Sequence, residues 1–277
     1  MGDELWPGES TARQWSPGGN RLDTGTAHSA RMYNFYLGGK DNYPADREAA
    51  NKVIELFPSI RTAAQENRRF LGRAVRALAA ELGVRQFLDI GTGLPTAGNT
   101  HEVAQVVAPD ARIVYVDNDP LVMTHARALL RSTPEGATDY LEADLRDPKT
   151  ILEGARQTLD FDQPIALMLV AILHFLPDAD DPYGIVSRLV GELPAGSYLV
   201  LTHATGDYLS EETIARAASG PVPVQLRSRP QIAKFFDPLD LLPPGLVPMA
   251  RWRAESESEP RPTDEETSAF AAVAKIP

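Results

Sequence analysis

From about residue 84 onward, short apolar runs alternate with segments whose apolar residues recur at helical spacing. The apolar runs predict strands at residues 86–90, 112–117, 138–143, 164–173 and 197–202. The segments between them predict helices at residues 96–107, 120–131, 148–159 and 182–193. This alternation is typical of a doubly wound, mostly parallel sheet with right-handed crossover connections.

The run 165–173 is apolar on both faces, as the central strand of a parallel sheet must be. After Thr202 the pattern changes, with helical segments at 211–219 and 231–236 followed by strand-like runs at 246–253 and 270–276. These two runs predict an antiparallel C-terminal hairpin joined by an acidic loop. The whole pattern predicts a seven-stranded, mostly parallel α/β sheet.

Before residue 84 the sequence predicts a flexible segment and helices but no strands. Residues 1–24 are rich in Gly, Pro, Ser and Thr, which predicts a flexible N-terminus. Helical spacing at 31–37, 46–57 and 59–82 predicts a helical cap or lid over residues 25–83. Residues 84–277 then form the ligand-binding α/β domain.

Composition excludes several kinds of protein. The chain has 277 residues and no cysteine, which excludes disulfides, thiolate metal sites and a cysteine nucleophile. A net charge of -11 argues against nucleic acid as a partner. The acidic N-terminus carries no apolar run, and the longest apolar run is too short to span a bilayer. We therefore expect a cytoplasmic protein with no membrane contact.

The most informative motif is the turn that ends the first predicted strand. Asp89 is followed by Gly91, Thr92 and Gly93, so the loop can turn tightly and let a ligand approach the backbone. A carboxylate at this point repels a pyrophosphate but attracts an ammonium or sulfonium group. The motif therefore favours S-adenosylmethionine over NAD as the ligand.

Two of the following predicted strands also end in acids. Asp117, followed by Asn118, closes the second strand, where a carboxylate can accept hydrogen bonds from both ribose hydroxyls. Asp144 ends the third, where a carboxylate can accept from the adenine amino group while the N–H of Leu145 donates to the ring.

The fourth predicted strand runs through Ala171 to His174, which places a histidine at the same edge of the sheet. A neutral imidazole there could act as a general base on a methyl acceptor. His203, at the end of the fifth strand, is a second candidate on the acceptor side. No carboxylate and histidine cluster has metal-ligand spacing, so no catalytic metal is expected.

Each of these residues also has a purely structural explanation. Asp89 could cap a turn, Asp144 could be a turn residue, and His174 could fill a buried corner. We interpret Asp119 and Asp147 as helix N-caps, because each precedes a proline that starts a predicted helix. Placement favours function for the rest, since the acids fall at the ends of consecutive strands.

Four sequence blocks carry a resemblance to a known family. They are RMYNFYLGGKDNY from Arg31, FLDIGTGLP from Phe87, YVDNDP from Tyr115 and LHF from Leu173. The chain resembles, from about Arg31 onward, a bacterial family of S-adenosylmethionine-dependent methyltransferases first catalogued as a domain of unknown function. The resemblance implies a class I, Rossmann-like methyltransferase fold and S-adenosylmethionine as cofactor, with no assigned substrate.

Two features separate this chain from a minimal class I methyltransferase. Leu94 and Pro95 stand where a third glycine often occurs, and a proline suits the first turn of a helix. The N-terminal block places Tyr33 and Tyr36 near two glycines, which predicts either core packing or an aromatic lid over the cofactor and substrate. His101 and Glu102 are expected to face the surface or a helix contact.

These features predict in-line methyl transfer to a small molecule, with His174 as the base if the acceptor is protonated. Two alternatives stay open. A nicotinamide-dependent oxidoreductase would fit the fold and Asp117, but its motif needs a glycine where Thr96 stands. A non-catalytic, cofactor-binding regulatory module would also keep the fold.

Overall fold

The computed structural model describes residues 23–254 and 260–277. The predicted flexible segment 1–24 lies outside the described residues except for its last two positions. None of the described helices is long and apolar enough to cross a membrane.

A single mixed sheet forms the centre of the described chain. Its strands are β1 (Gln86–Ile90), β2 (Arg112–Asp117), β3 (Ala137–Glu142), β4 (Ala166–Val170), β5 (Tyr198–Ala204), β6 (Asp240–Leu241), β7 (Val247–Pro248) and β8 (Ala269–Lys275). The order is β3-β2-β1-β4-β5-β8-β6, and β7 also pairs with β8. Strands β1 to β5 are parallel, whereas β8 runs antiparallel to β5, β6 and β7. The predicted doubly wound α/β fold with a mixed C-terminal edge is confirmed.

Helices precede and connect these strands. They are α1 (Ser29–Tyr36), α2 (Pro44–Leu56), α3 (Ile60–Ala80), α4 (Thr100–Val107), α5 (Pro120–Leu129), α6 (Pro148–Ala155), α7 (Pro182–Gly191), α8 (Glu211–Ala218), α9 (Arg229–Ala233) and α10 (Asp264–Thr267). The predicted caps are present, since Asp119 accepts from the N–H of Leu121 and Asp147 from that of Thr150. Each satisfies a backbone donor that has no partner within its helix.

The predicted strand count was wrong by one. The sheet has eight strands rather than seven, because β6 has only two residues and is too short to show an alternating pattern. Of the strand predicted at 246–253, only the two residues of β7 form a strand in the structure. Pro248 has no N–H to extend the ladder, and a 3₁₀ turn (Met249–Arg251) follows it.

Two further boundaries differ from the prediction. Helix α4 begins at Thr100, not near Pro95, because Asn99 and Glu102 form a capping box that fixes the start of the helix. Pro95 therefore lies in the loop. The acidic segment near the C-terminus is not entirely a loop, since Thr263 and Glu266 form a capping box that starts α10.

Helix α3 joins the N-terminal region to the sheet. Its side chain Phe70 is fully buried in the apolar layer between α3 and one face of the sheet. Phe70 also contacts the ring of Trp252 edge-on, with the ring centroids 5.4 Å apart. The pair fastens α3 to the C-terminal part of the chain, and α3 in turn carries several side chains of the site described below.

We predict that Phe70→Ala lowers the free energy of unfolding by about 3–5 kcal/mol, because it leaves a cavity in this layer. Urea unfolding measures the loss. Val106→Ala is the matched control on a helix surface, where the side chain is 85% exposed, and we expect a change within about 0.5 kcal/mol. A loss below about 1 kcal/mol for Phe70→Ala would contradict this assignment of the core.

Candidate cofactor and acceptor site

One cavity of about 600 Å³ lies at the carboxyl ends of the parallel strands, beneath the N-terminal helices and beside the segment that follows β5. Its volume falls in the usual range for small-molecule sites. Every residue that the sequence predicted for the site lines this cavity: Tyr33, Tyr36, Asp89, Gly91, Thr92, Gly93, Asp117, Asn118, Asp144, Leu145, Ala171, His174 and His203.

The glycine loop is held against the end of β2. The N–H groups of Gly91 and Thr92 both donate to the carbonyl of Val116, at 2.8 and 3.2 Å. Gly91 has φ +77°, and an added Cβ would lie only 2.7 Å from the side chain of Ile172. Glycine is therefore required at position 91 both by the turn and by the close approach of the β4 loop.

Asp89 lies beneath this loop with its side chain buried. The hydroxyl of Thr100, the first residue of α4, donates to its Oδ2 at 2.6 Å. Burial raises the pKa of Asp89 to about 6, although the Thr100 hydrogen bond and the charge of Arg68 act in the opposite direction. A cationic ligand nearby would offset the cost of ionising this carboxyl group.

Asp117 connects the glycine loop to the start of α5. Its Oδ2 accepts from the N–H of Gly93 at 2.9 Å, and its Oδ1 accepts from the N–H of Asp119 at 2.9 Å. Burial raises the pKa of Asp117, and these two hydrogen bonds oppose the shift. Each carboxylate oxygen keeps a further lone pair for a donor such as a ribose hydroxyl.

Asp144 is the most exposed of the three strand-end acids. It accepts from the backbone N–H of Arg146 at 2.8 Å and from the amide of Asn118 at 3.1 Å. Partial burial alone would raise the pKa of Asp144, but these hydrogen bonds and the charge of Arg146 bring it below its ordinary value. Arg146 also pairs with Asp180 at 2.7 Å, so the arginine holds this corner of the cavity in place.

The predicted strand at 164–173 ends early, at Val170, because Ala171 adopts a left-handed backbone conformation with φ 58°. This conformation is rare for a residue with a Cβ and needs support from its surroundings. The support is a hydrogen bond from the N–H of Ala171 to the hydroxyl of Thr202, at 2.8 Å. The chain then turns into a 3₁₀ segment that carries His174.

The Thr202 hydroxyl extends this contact to the N-terminal helices. It donates to Oδ1 of Asn67 on α3 at 2.7 Å, and the Asn67 amide donates to the hydroxyl of Tyr33 at 3.0 Å. Tyr33 donates in turn to the carbonyl of Ala64 at 2.9 Å. A continuous hydrogen-bond chain therefore joins the strained turn at Ala171 to α1.

His174 is half-buried, and its ring lies 4.4 Å from the ring of Phe175. Its Nδ1 is buried without a hydrogen-bond partner among the described residues, so Nε2 is the ring nitrogen available to a ligand. Burial, followed by the charge of Arg227, lowers the pKa of His174 to about 4. The imidazole is therefore neutral at physiological pH.

His203 is buried, and both of its ring nitrogens have partners. Nδ1 lies 2.7 Å from the carbonyl of Ala204, and Nε2 lies 2.9 Å from a guanidinium nitrogen of Arg227. Because arginine can only donate, Nε2 is the acceptor and Nδ1 carries the hydrogen. Burial, and then the neighbouring His174, lowers the pKa of His203. His203 lines the cavity as predicted but has no free nitrogen with which to take a proton.

Arg227 is a residue of the site that the sequence did not indicate. Its guanidinium is fully buried and donates to the carbonyls of Leu173 and Leu176 at 3.2 and 2.9 Å. It also pairs with Asp178 at 2.6 Å. These bonds fix the backbone on both sides of His174, so Arg227 positions that histidine from behind.

The N-terminal helices are fastened to the same edge by buried charges. Arg31 on α1 lies 3.2 Å from Asp119 and 3.6 Å from Asp46. Asp119, which the sequence predicted only as a helix cap, is both a cap and an ion-pair partner. His28, which lines the cavity, lies 3.3 Å from the same carboxylate.

Two residues on α3, Asn67 and Arg68, also contribute to the site, and Asn67 could have been found from the sequence. Asn67 occupies the apolar stripe formed by Ala63, Phe70 and Ala74, and a polar residue on a buried stripe signals a specific partner. Arg68, the next residue, is half-buried at the cavity and donates to the carbonyl of Gly98 at 2.9 Å.

Two residues that the sequence did not place in the site, His101 and Glu102, have structural roles. His101 is buried and its Nδ1 lies 2.8 Å from the hydroxyl of Tyr115 on β2, so it packs against the sheet rather than facing the surface or another helix as expected. Glu102 belongs to the capping box of α4. Among the described residues, no group of three or more His, Cys, Asp or Glu side chains could hold a metal ion.

Residues 16–277 match the family described as S-adenosyl methyltransferase. A DUF574 family protein from Streptomyces avermitilis MA-4680 shares 44% sequence identity and a TM-score of 0.86, over 93% of this chain and 100% of that one. A candidate methyltransferase from Thermobifida fusca YX shares 40% identity and a TM-score of 0.82, over 95% and 98% of the two chains. No curated protein matches the chain.

A more distant structure supports the fold alone. The plantazolicin methyltransferase BamL, solved with S-adenosylhomocysteine and a triazolic desmethylPZN analog, shares 11% identity and a TM-score of 0.51, over 89% of this chain and 95% of its own. The family match covers all of the described residues, including the glycine loop and the strand-end acids. The chain therefore belongs to the family of S-adenosylmethionine-dependent methyltransferases.

Proposed function

We propose that this enzyme transfers a methyl group from S-adenosylmethionine to a small molecule bound in the same cavity. The observation that carries the proposal is the arrangement of one cavity with strand-end carboxylates in one part and a neutral histidine in another. Its volume of about 600 Å³ leaves room for a cofactor and a small acceptor together.

The charged part of the cavity suits the cofactor. Asp89 would face the cationic methionine part of the ligand, and Asp117 would accept hydrogen bonds from the ribose hydroxyls. Asp144 and the N–H of Leu145 would bind adenine, with Asn118 beside them. Arg68 lines the cavity and its charge acts on Asp89, and its remaining N–H groups suit the methionine carboxylate.

When bound, the cofactor supplies an electrophilic methyl group, so the protein has mainly to align the acceptor and exclude water. The backbone at Ala171 and the side chains of Tyr33 and Tyr36 would form the walls of the reaction site, Tyr36 as an aromatic face toward the sulfonium. His174 would take a proton from the acceptor at Nε2. This histidine is neutral at pH 7 and needs no prior deprotonation.

Family membership favours this function over a nicotinamide-dependent oxidoreductase. The position that a dinucleotide motif would fill with glycine is Thr96, and Asp89 would face the pyrophosphate. A non-catalytic module would bind the cofactor without transferring its methyl group to any acceptor.

The first prediction concerns cofactor binding. S-adenosylhomocysteine at about 100 times its Kd should raise the free energy of unfolding by roughly 2.7 kcal/mol, whereas NAD should have no effect. Asp117→Ala and Asp117→Asn should both remove this stabilisation, because neither keeps the carboxylate. Asp110→Asn, on an acid that is 65% exposed, is the control and should keep it. Thermal shift measures all four proteins, and a response to NAD alone would overturn the proposal.

The second prediction concerns pH. The raised pKa of Asp89 means that its protonated form stabilises the unliganded fold, and this contribution is lost as pH rises through about 6. A cationic ligand reverses the preference, so affinity for S-adenosylmethionine should fall below pH 6 by up to about tenfold per pH unit. Calorimetric titration at several pH values measures this. Asp89→Asn should flatten the dependence, and an unchanged slope in that variant would contradict the role of Asp89.

The third prediction concerns His174. Its imidazole should become protonated at about pH 4 rather than near the ordinary histidine value, because it is buried and lies near Arg227. An NMR titration of the imidazole signals tests this, with His174→Gln used to assign the resonance. A midpoint near about 6.5 would show that the ring is solvated and would contradict the environment described here for His174.

A further inference from the structure

The part of the cavity away from the strand-end acids is lined mainly by apolar side chains. They come from the end of α2, the start of α3 and the segment that follows β5, and they include Leu56, Phe57, Ile60, Leu209, Val222 and Leu226. Val222 also packs against the apolar cluster of α1, α2 and α3. The segment after β5 therefore closes against the N-terminal helices and shields this chamber, which we call the acceptor chamber.

The charges around the acceptor chamber are unequal in sign. Among the described residues, the acids that line the whole cavity are Glu55, Asp89, Asp117 and Asp144. The last three lie at the strand ends that suit the cofactor, and Glu55 is exposed on α2. No buried carboxylate from the described chain faces the acceptor chamber.

A buried cation lies behind the same chamber. Arg227 contacts His203 at 2.9 Å and holds the backbone around His174, and both histidines line the cavity. Its ion-pair partner Asp178 has a side chain that is 61% exposed, so that negative charge lies toward solvent. The acceptor chamber is therefore backed by a buried guanidinium whose counter-charge lies on its solvent side.

These observations restrict the charge that the methyl acceptor can carry. A protonated amine in the chamber would lose its hydration shell beside a guanidinium and a sulfonium, with no carboxylate to replace the water. A neutral hydroxyl has no such cost, because it can donate to Nε2 of His174 while its apolar body packs against the chamber walls. The side chains of the chamber therefore favour a neutral hydroxyl over a protonated amine of similar shape.

We propose that the methyl acceptor is a largely apolar, uncharged molecule that reacts through a hydroxyl oxygen, and that protonated amines are excluded. The proposal rests on the methyl-transfer function above. In the reaction the hydroxyl oxygen forms a bond to the methyl carbon and the carbon–sulfur bond breaks, its electron pair going to sulfur. The hydroxyl proton passes to Nε2 of His174 and then to solvent.

The test uses two ligands that differ only in the reacting group, naphthalen-2-ylmethanol and naphthalen-2-ylmethanamine. The protein is first saturated with S-adenosylhomocysteine, and the Kd of each ligand is measured by calorimetry at about pH 7.5, where the amine is protonated. We expect the alcohol to bind at least about tenfold more tightly than the amine.

A variant supplies the missing charge. Leu209 is half-buried at the chamber and belongs to none of the described apolar clusters, so a polar side chain there should be tolerated. Leu209→Asp should reduce or reverse the preference for the alcohol, and the neutral isostere Leu209→Asn should keep it. Agreement of Asp and Asn variants would show that polarity rather than charge is responsible, which would contradict the proposal.

Equal or tighter binding of the amine to the unaltered protein would overturn the inference, and so would failure of both ligands to bind. These results differ from a failure of the proposed function. In that case the protein would not bind S-adenosylhomocysteine in the first step, and neither ligand would be examined. The charge of the acceptor is therefore tested independently of the identity of the cofactor.

Discussion

The buried carboxylate of Asp117 is the contact on which the site depends. It accepts hydrogen bonds from Gly93 in the glycine loop and from Asp119 at the start of α5. Asp119 in turn pairs with Arg31 on α1. One carboxylate thus links the end of β2, the glycine loop and, through its neighbour, the N-terminal helices. Carboxylates are retained in such a buried place only where donors satisfy them, and a ligand with hydroxyl groups adds to that set.

A second network connects the opposite side of the cavity. The strained backbone at Ala171 is supported by Thr202, which is joined through Asn67 to Tyr33 on α1. The N-terminal helices therefore join both the loops proposed to bind the cofactor and the turn that carries His174. Their arrangement fixes the distance between the two halves of the cavity, one acidic and suited to a cation, the other apolar and backed by Arg227. The acidic half of the cavity suits a cationic methyl donor, and the apolar half suits a neutral methyl acceptor.

Much of this architecture follows from local sequence signals. The sequence predicted the five parallel strands, the helices between them and the acids at the strand ends. These features were predictable because hydrophobic periodicity and turn-forming residues are local properties of the sequence. The start of α4 was mispredicted because its Asn99–Glu102 capping box outweighed the proline at 95. Arg227 was missed because its partners, the carbonyls around His174, are about 50 residues away in sequence, at separations of 54 and 51 residues. Asn67 could have been found, since a polar residue interrupts an apolar stripe there.

The most direct test of the account is a crystal structure of the protein with S-adenosylhomocysteine. The ribose hydroxyls should lie within hydrogen-bond distance of Asp117, and adenine should lie beside Asp144 and Leu145. The sulfur should face the chamber that contains His174. A ligand bound with its ribose away from Asp117, or with its sulfur directed away from that chamber, would contradict the central claim that these strand ends form one methyl-transfer site.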